Sequence, residues 1–163
     1  MATKYADLGK WMSYARSIKS EQAIKHGVDN MPSPAQYERM KLLYKHIYAP
    51  LCEHFSRTVP FNSFFRCPRL NTLVRGSNTS EHKLGGAIDL DCDDLGKVLT
   101  NKEVFKHILA FMDFDQLILE SPDKSNRPRW VHVGYRPTGN RHEVLVMRRD
   151  ADGNPEYFPY EHD

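Results

Sequence analysis

The chain has 163 residues, 40% hydrophobic and 27% charged, with a formal net charge of +2. That length and apolar content suit one domain with an ordinary core. The near balance of charge excludes the strong basic stripe typical of a nucleic-acid binder, and no apolar run approaches the roughly 18 residues of a membrane span.

The start, Met1 to Asp7, is polar and lacks the apolar run of a signal peptide, so synthesis in the cytoplasm without a signal peptide is expected. Leu8, Trp11, Met12, Ala15 and Ile18 recur at helical spacing and predict a helix over about Tyr5 to Ser20. A loop from His26 to Pro34 follows, punctuated by Gly27, Pro32 and Pro34. Ser33 before Pro34 reads as an N-cap, opening a helix to about Phe55. Its stripe of Tyr37, Met40, Leu43, Tyr44, Ile47, Leu51 and Phe55 is read as core, and Pro50 predicts a kink or a split.

Beyond Pro60 the pattern changes. Phe61 to Phe65 reads as a short strand, Pro68 to Arg75 as a short helix or turn, and Gly86 to Asp91 as a strand. Asp94 to Phe111 reads as an amphipathic helix. Asp115 to Glu120, Trp130 to Tyr135 and Glu143 to Met147 read as strands, and Asp152-Gly153-Asn154-Pro155 as a turn closing a terminal hairpin. For the aromatic, acidic end, Tyr157 to Asp163, packing on the body and fraying both stay open.

The fold class expected is α+β, with N-terminal helices packed on a central antiparallel sheet of about four or five strands. It is read as one domain over 1–163: a helical part at 1–58, a sheet and metal site at 59–150, and a C-terminal tail at 151–163. The three cysteines, Cys52, Cys67 and Cys92, form no Cys-x-x-Cys pair and are read as reduced thiols.

The segment Ser80-Glu81-His82-Lys83-Leu84-Gly85-Gly86-Ala87-Ile88-Asp89 carries the chemistry. Two glycines between His82 and Asp89 disfavour a helix, so the chain turns there into a strand with both side chains facing one cleft. Zinc takes three or four N, O or S ligands, and a catalytic site keeps a position open. His132 supplies the third ligand expected, since it sits in a strand between Val131 and Val133 and shares a face with Trp130 and Gly134.

The motif Ser-x-His-x-x-Gly-x-Ala-x-Asp at Ser80 to Asp89, followed by Trp130-Val131-His132-Val133, resembles the zinc D-Ala-D-Ala carboxypeptidase family. That family is related in fold to the lysostaphin-type peptidases and to the hedgehog signalling domain. Ser63 to Asn71 and Asp115 to Glu120 resemble two further blocks of it, and Ala23 to Pro32 resembles the start of a branch often encoded by phages or prophages.

The resemblance implies a zinc peptidase acting on a D-Ala-containing bond of peptidoglycan stem peptides. The activity would be that of a cross-link endopeptidase or a carboxypeptidase. It implies a Zn2+ cofactor held by His82, Asp89 and His132, and action on the cell wall after release, as a phage or prophage endolysin would act. Arg66 is implied as a catalytic residue, holding an oxyanion or gripping a substrate carbonyl or carboxylate. Ser80 is implied to bind substrate or to shape its loop, and Trp130 to line the substrate pocket.

Several relatives carry a Glu three residues before the last His; here that position is Arg129. Glu120 is the expected general base in its place, with Asp91 and Asp115 as lesser candidates. The alternative is a non-catalytic zinc-containing binding module of the same fold, motivated by Arg129. A monomer is expected, with no nucleic acid and no membrane among its partners.

Overall fold

A computed structural model describes residues 4–93 and 98–162. The N-terminal part differs from the single helix expected over 5–20. Residues 4–13 are non-helical apart from a bridge between Gly9 and Met12, and only α1 (Tyr14–Ser17) is helical. Asp7 Oδ1 captures the backbone N–H of Tyr14, Ser13 caps the helix, and Tyr5 stacks on Tyr37. Gly9 lies so close to the Tyr44 ring that a Cβ there would meet its hydroxyl at 2.4 Å. Tertiary contacts therefore override the helical spacing. A short α2 (Glu21–Lys25) follows, capped by Ser20.

Helix α3 (Pro34–Leu43) starts at Ser33, which forms a capping box with Gln36; such a cap is worth about 1 kcal/mol. The helical run continues to Phe55, but through a π-helical turn (Tyr44–Tyr48) into α4 (Ala49–Phe55). The turn precedes Pro50, where the ring would otherwise crowd the preceding carbonyls. The stripe expected to be core is core, with Met40, Leu43, Ile47 and Leu51 fully buried. Helix α5 (Pro68–Leu73) is the short helix expected.

Helix α6 (Asn101–Phe111) is shorter than the sequence pattern, because Thr100 caps it in a box with Glu103. Residues 94–97 of the expected helix lie outside the described residues.

The strands are β1 (Phe61–Ser63), β2 (Ala87–Leu90), β3 (Gln116–Glu120), β4 (Trp130–Gly134), β5 (Glu143–Arg149) and β6 (Pro155–Pro159). Among the described residues these six form one sheet in the order β1-β2-β4-β3-β5-β6. The expectation of four or five antiparallel strands is corrected in number and direction: β6 adds a strand, and β5 pairs with β3 in parallel. The parallel pairing follows from the connection after β4. Residues 135–142 wrap the start of β3, where the backbones of His142 and Glu143 bond to Phe114 and Asp115. The buried Asp115 carboxylate ties Arg136 and Arg141 of this loop. The terminal hairpin expected at Asp152–Pro155 is formed, and it seats Tyr157 and Phe158 in the sheet.

Strand residues alternate between faces. Ile88, Leu90, Leu117, Leu119, Val131 and Val133 share one core with the helices. The intervening residues, Asp89, Glu120 and His132 among them, lie on the opposite face. The three cysteines are free thiols. No helix of the described residues is long and apolar enough to cross a membrane.

Candidate metal centre

His82 lies on a 3-10 turn (Glu81–Leu84) that Ser80 caps by accepting from the His82 N–H. The turn ends at Gly85 with φ +78°, and a Cβ there would meet the Gln36 carbonyl at 2.5 Å, so glycine is required. From Gly85-Gly86 the chain enters β2, whose Asp89 stands opposite His132 of β4 in antiparallel register. The loop-then-strand reading of the sequence thus holds. One ligand atom from each of His82, Asp89 and His132 lies within 4.8 Å of the others.

The hydrogen bonds define what this trio lacks. His82 Nδ1 is 2.6 Å from the Phe64 carbonyl oxygen. A carbonyl only accepts, so Nδ1 carries the proton and Nε2 presents a lone pair. That Nε2 is buried, makes no hydrogen bond among the described residues, and faces Asp89 Oδ1 at 3.2 Å. Two electron-rich atoms face each other there, an arrangement that calls for a cation between them. His132 Nδ1 approaches the same Asp89 oxygen at 2.9 Å. Bonds of 2.0–2.2 Å to a tetrahedral zinc place ligand atoms roughly 3.3 Å apart, so the donor set and its spacing fit zinc.

The electrostatics agree. Burial would raise the Asp89 carboxyl, but the adjacent His82 and His132 imidazoles hold it well below the usual carboxylate range. Burial lowers His82, with Asp89 opposing, which favours the neutral ligand form.

Arg66 stands behind Asp89. Its Nη2 donates to Asp89 Oδ2 at 3.1 Å, its Nε to Ser63 Oγ at 2.9 Å and its Nη1 to Asn71 Oδ1 at 3.2 Å. Its backbone N–H also bonds the His82 carbonyl. The 63–71 segment therefore clamps both His82 and Asp89. Nothing in the sequence marked the Phe64 carbonyl, while Asn71 closes the block that carries Arg66.

Glu120 pairs in register with Trp130, on the sheet face that carries His132. Its Oε2 is buried without a hydrogen-bond partner among the described residues, and burial pushes its carboxyl up to about 7, with His132 pulling the other way. Arg129 is exposed, and its backbone bonds that of Glu120. Trp130, Arg66 and Asp89 line a cleft of about 660 Å³ that also reaches Arg16 and Lys19. Ser80 is not on the cleft wall; it shapes the turn under His82. Asp91 is bonded to Asn62 and Asn101, and Asp115 to its arginines at the far end of β3.

A peptidase M15 family model matches residues 10–134 of the chain. The match spans most of the chain and includes His82, Asp89 and His132, so the chain belongs to the peptidase M15 family, whose members are zinc-dependent metallopeptidases. No curated protein matches the chain.

Proposed function

We propose that the chain is a zinc-dependent peptidase that hydrolyses a D-Ala-containing bond of peptidoglycan stem peptides, as a cross-link endopeptidase or a carboxypeptidase. The observation that carries the reading is the buried His82 Nε2 facing Asp89 Oδ1 beside His132 Nδ1. His82, Asp89 and His132 would hold the zinc. When bound, zinc supplies a Lewis acid that polarises the scissile carbonyl and acidifies water.

The protein's residues do the rest. The Phe64 carbonyl fixes the His82 tautomer, and Arg66 orients Asp89 through its second oxygen. Glu120, with its carboxyl near 7, takes a proton from the attacking water and returns it to the leaving amine. Trp130 lines the cleft, as do Arg16 and Lys19 with Glu21 near them, and the two cations suit the free carboxylates of stem peptides. The resemblance to a phage- or prophage-encoded branch extends the proposal to a lysis enzyme acting on the cell wall.

The test is mass spectrometry of purified peptidoglycan after incubation with zinc-loaded protein, beside a chelated control. New peptide ends at D-Ala bonds that need zinc support the proposal; loss of single D-alanines marks a carboxypeptidase, and dimers resolved to monomers mark an endopeptidase. An unchanged digest by protein carrying zinc would favour the non-catalytic binding module.

A further inference from the structure

Strand β1 is an edge of the sheet, and the cleft runs along it. The Asp91 N–H bonds the Pro60 carbonyl, so the next carbonyl, that of Phe61, points away from β2 to the open edge. Arg16 of α1 meets it there. Its Nη2 donates to the Phe61 oxygen at 2.5 Å, and its guanidinium lies over the Phe61 ring at 4.1 Å. These two contacts hold an exposed side chain in one place, which lowers the entropy cost of gripping a ligand.

The segment that carries Arg16 is tied to the metal centre. The Ser17 carbonyl accepts from the Phe65 N–H. The buried Asn30 donates to the Ile18 and Phe65 carbonyls and accepts from the Cys67 N–H. Phe65 and Cys67 flank Arg66, which bonds Asp89. Arg16, Phe61, Ser63, Arg66 and Asp89 line one cleft. Ser63 pairs with Asp89 and stands two residues beyond Phe61, roughly 7 Å along the strand. A carboxylate on the leaving residue lies roughly 3.5 Å from the scissile carbonyl, and a charge-assisted bond adds roughly 3 Å, a matching reach. No ion pair among the described residues involves Arg16, although Glu21 lines the same cleft, and Phe61 takes only part of its donor fork.

We infer that Arg16 is a specificity-determining residue, whose guanidinium binds the free carboxylate of the residue that leaves, so that peptides amidated at that carboxylate are poor substrates. This rests on the peptidase reading above. The carboxylate keeps its charge from bound substrate to transition state, so Arg16 acts on binding and leaves the chemical step to the metal centre.

The test measures kcat and KM of zinc-loaded wild type, Arg16→Met, Arg16→Lys and Lys106→Met. The substrates are a stem peptide ending in D-Ala-D-Ala and a cross-linked dimer, each with the leaving residue's carboxylate free or amidated. Arg16→Met should raise KM for the free acid by about 10-fold with kcat kept, the lower end for a charge-assisted bond because Arg16 is exposed. Amidation should cost wild type a similar factor and cost Arg16→Met almost nothing. Arg16→Lys, which keeps the cation, should recover part of the discrimination. Lys106 is exposed on α6 away from the cleft, so Lys106→Met should match wild type.

The wild-type comparison of free and amidated substrate needs no folded variant. A wild type that cuts both equally well overturns the inference alone. So does an Arg16→Met that keeps the wild-type KM, or one that loses as much on amidation as wild type does. A wild type that carries zinc and cuts neither peptide overturns the peptidase reading and the inference with it.

Discussion

A buried carboxylate stands at each end of β3, and the two are built in opposite ways. Asp115, just before the strand, accepts from the Arg141 backbone and guanidinium and pairs with Arg136 at 3.1 Å. Burial would raise it, but these partners hold it below the ordinary carboxylate value. Glu120, at the other end, keeps an oxygen without a partner among the described residues, and burial carries its carboxyl to about 7. The Asp115 end is frame, where every charge is answered. The Glu120 end is site, where an unanswered carboxylate is held ready for a proton, beside a histidine nitrogen held ready for a metal.

The largest expected effect is at the open end. Glu120→Gln should lower kcat by roughly 10²–10⁴-fold, the range of general acid–base catalysis, with zinc content unchanged. Steady-state turnover of muropeptide checks this, and a variant as active as wild type would move Glu120 from site to frame.

Asp115→Asn should do the reverse. Removing a buried charge with several charge-assisted partners should cost about 2–3 kcal/mol in urea unfolding, with kcat per folded molecule kept. Reduced kcat in the folded variant would erase the distinction between the two ends.

Stability against pH separates the two carboxylates in the metal-free protein. Asp115 has a depressed folded value, so its contribution is present above the ordinary carboxylate range and is lost as pH falls below it. Glu120 has a raised one, from 4.5 to about 7, so it favours the folded state at low pH and that contribution is lost as pH rises through this window. Metal-free Glu120→Gln should therefore be more stable than wild type at pH 8, by about 3 kcal/mol, and should lack the decline between these values. Parallel pH profiles for the two proteins would contradict the raised value.

A smaller effect is expected behind the metal centre. Arg66→Met removes the guanidinium that bonds Asp89 Oδ2. It should weaken zinc affinity by roughly 10-fold to 100-fold, as loss of a ligand's supporting partner does. Competition with a chromogenic chelator measures it, and unchanged affinity would show that Asp89 needs no such support.

The parts legible in the sequence are those that local pattern controls. Short strand-forming stretches marked β2, β3 and β5, alternation marked β4, and the glycine turn between His82 and Asp89 brought both into one ligand cluster. The Ser33 cap and the Asp152–Pro155 turn were equally local. What stayed hidden depends on distant contacts. The helical spacing from Leu8 to Ile18 yields to Asp7 and to the close approach of Gly9 to Tyr44. The parallel pairing of β5 needs the Asp115 carboxylate to turn a loop that reads as ordinary polar chain. Arg66 was marked by its motif, but its commitment to Asp89, Ser63 and Asn71 is a matter of geometry alone. Arg16 stood among scattered basic residues, and its seat on Phe61 depends on how its segment lies against β1.

The central claim is that the open face holds zinc between His82, Asp89 and His132. The most direct measurement is the zinc content of purified wild type and His132→Ala after zinc loading and desalting, by inductively coupled plasma mass spectrometry. The account predicts stoichiometric zinc in wild type and its loss in a folded His132→Ala. Equal zinc in both proteins, or none in wild type, would contradict it.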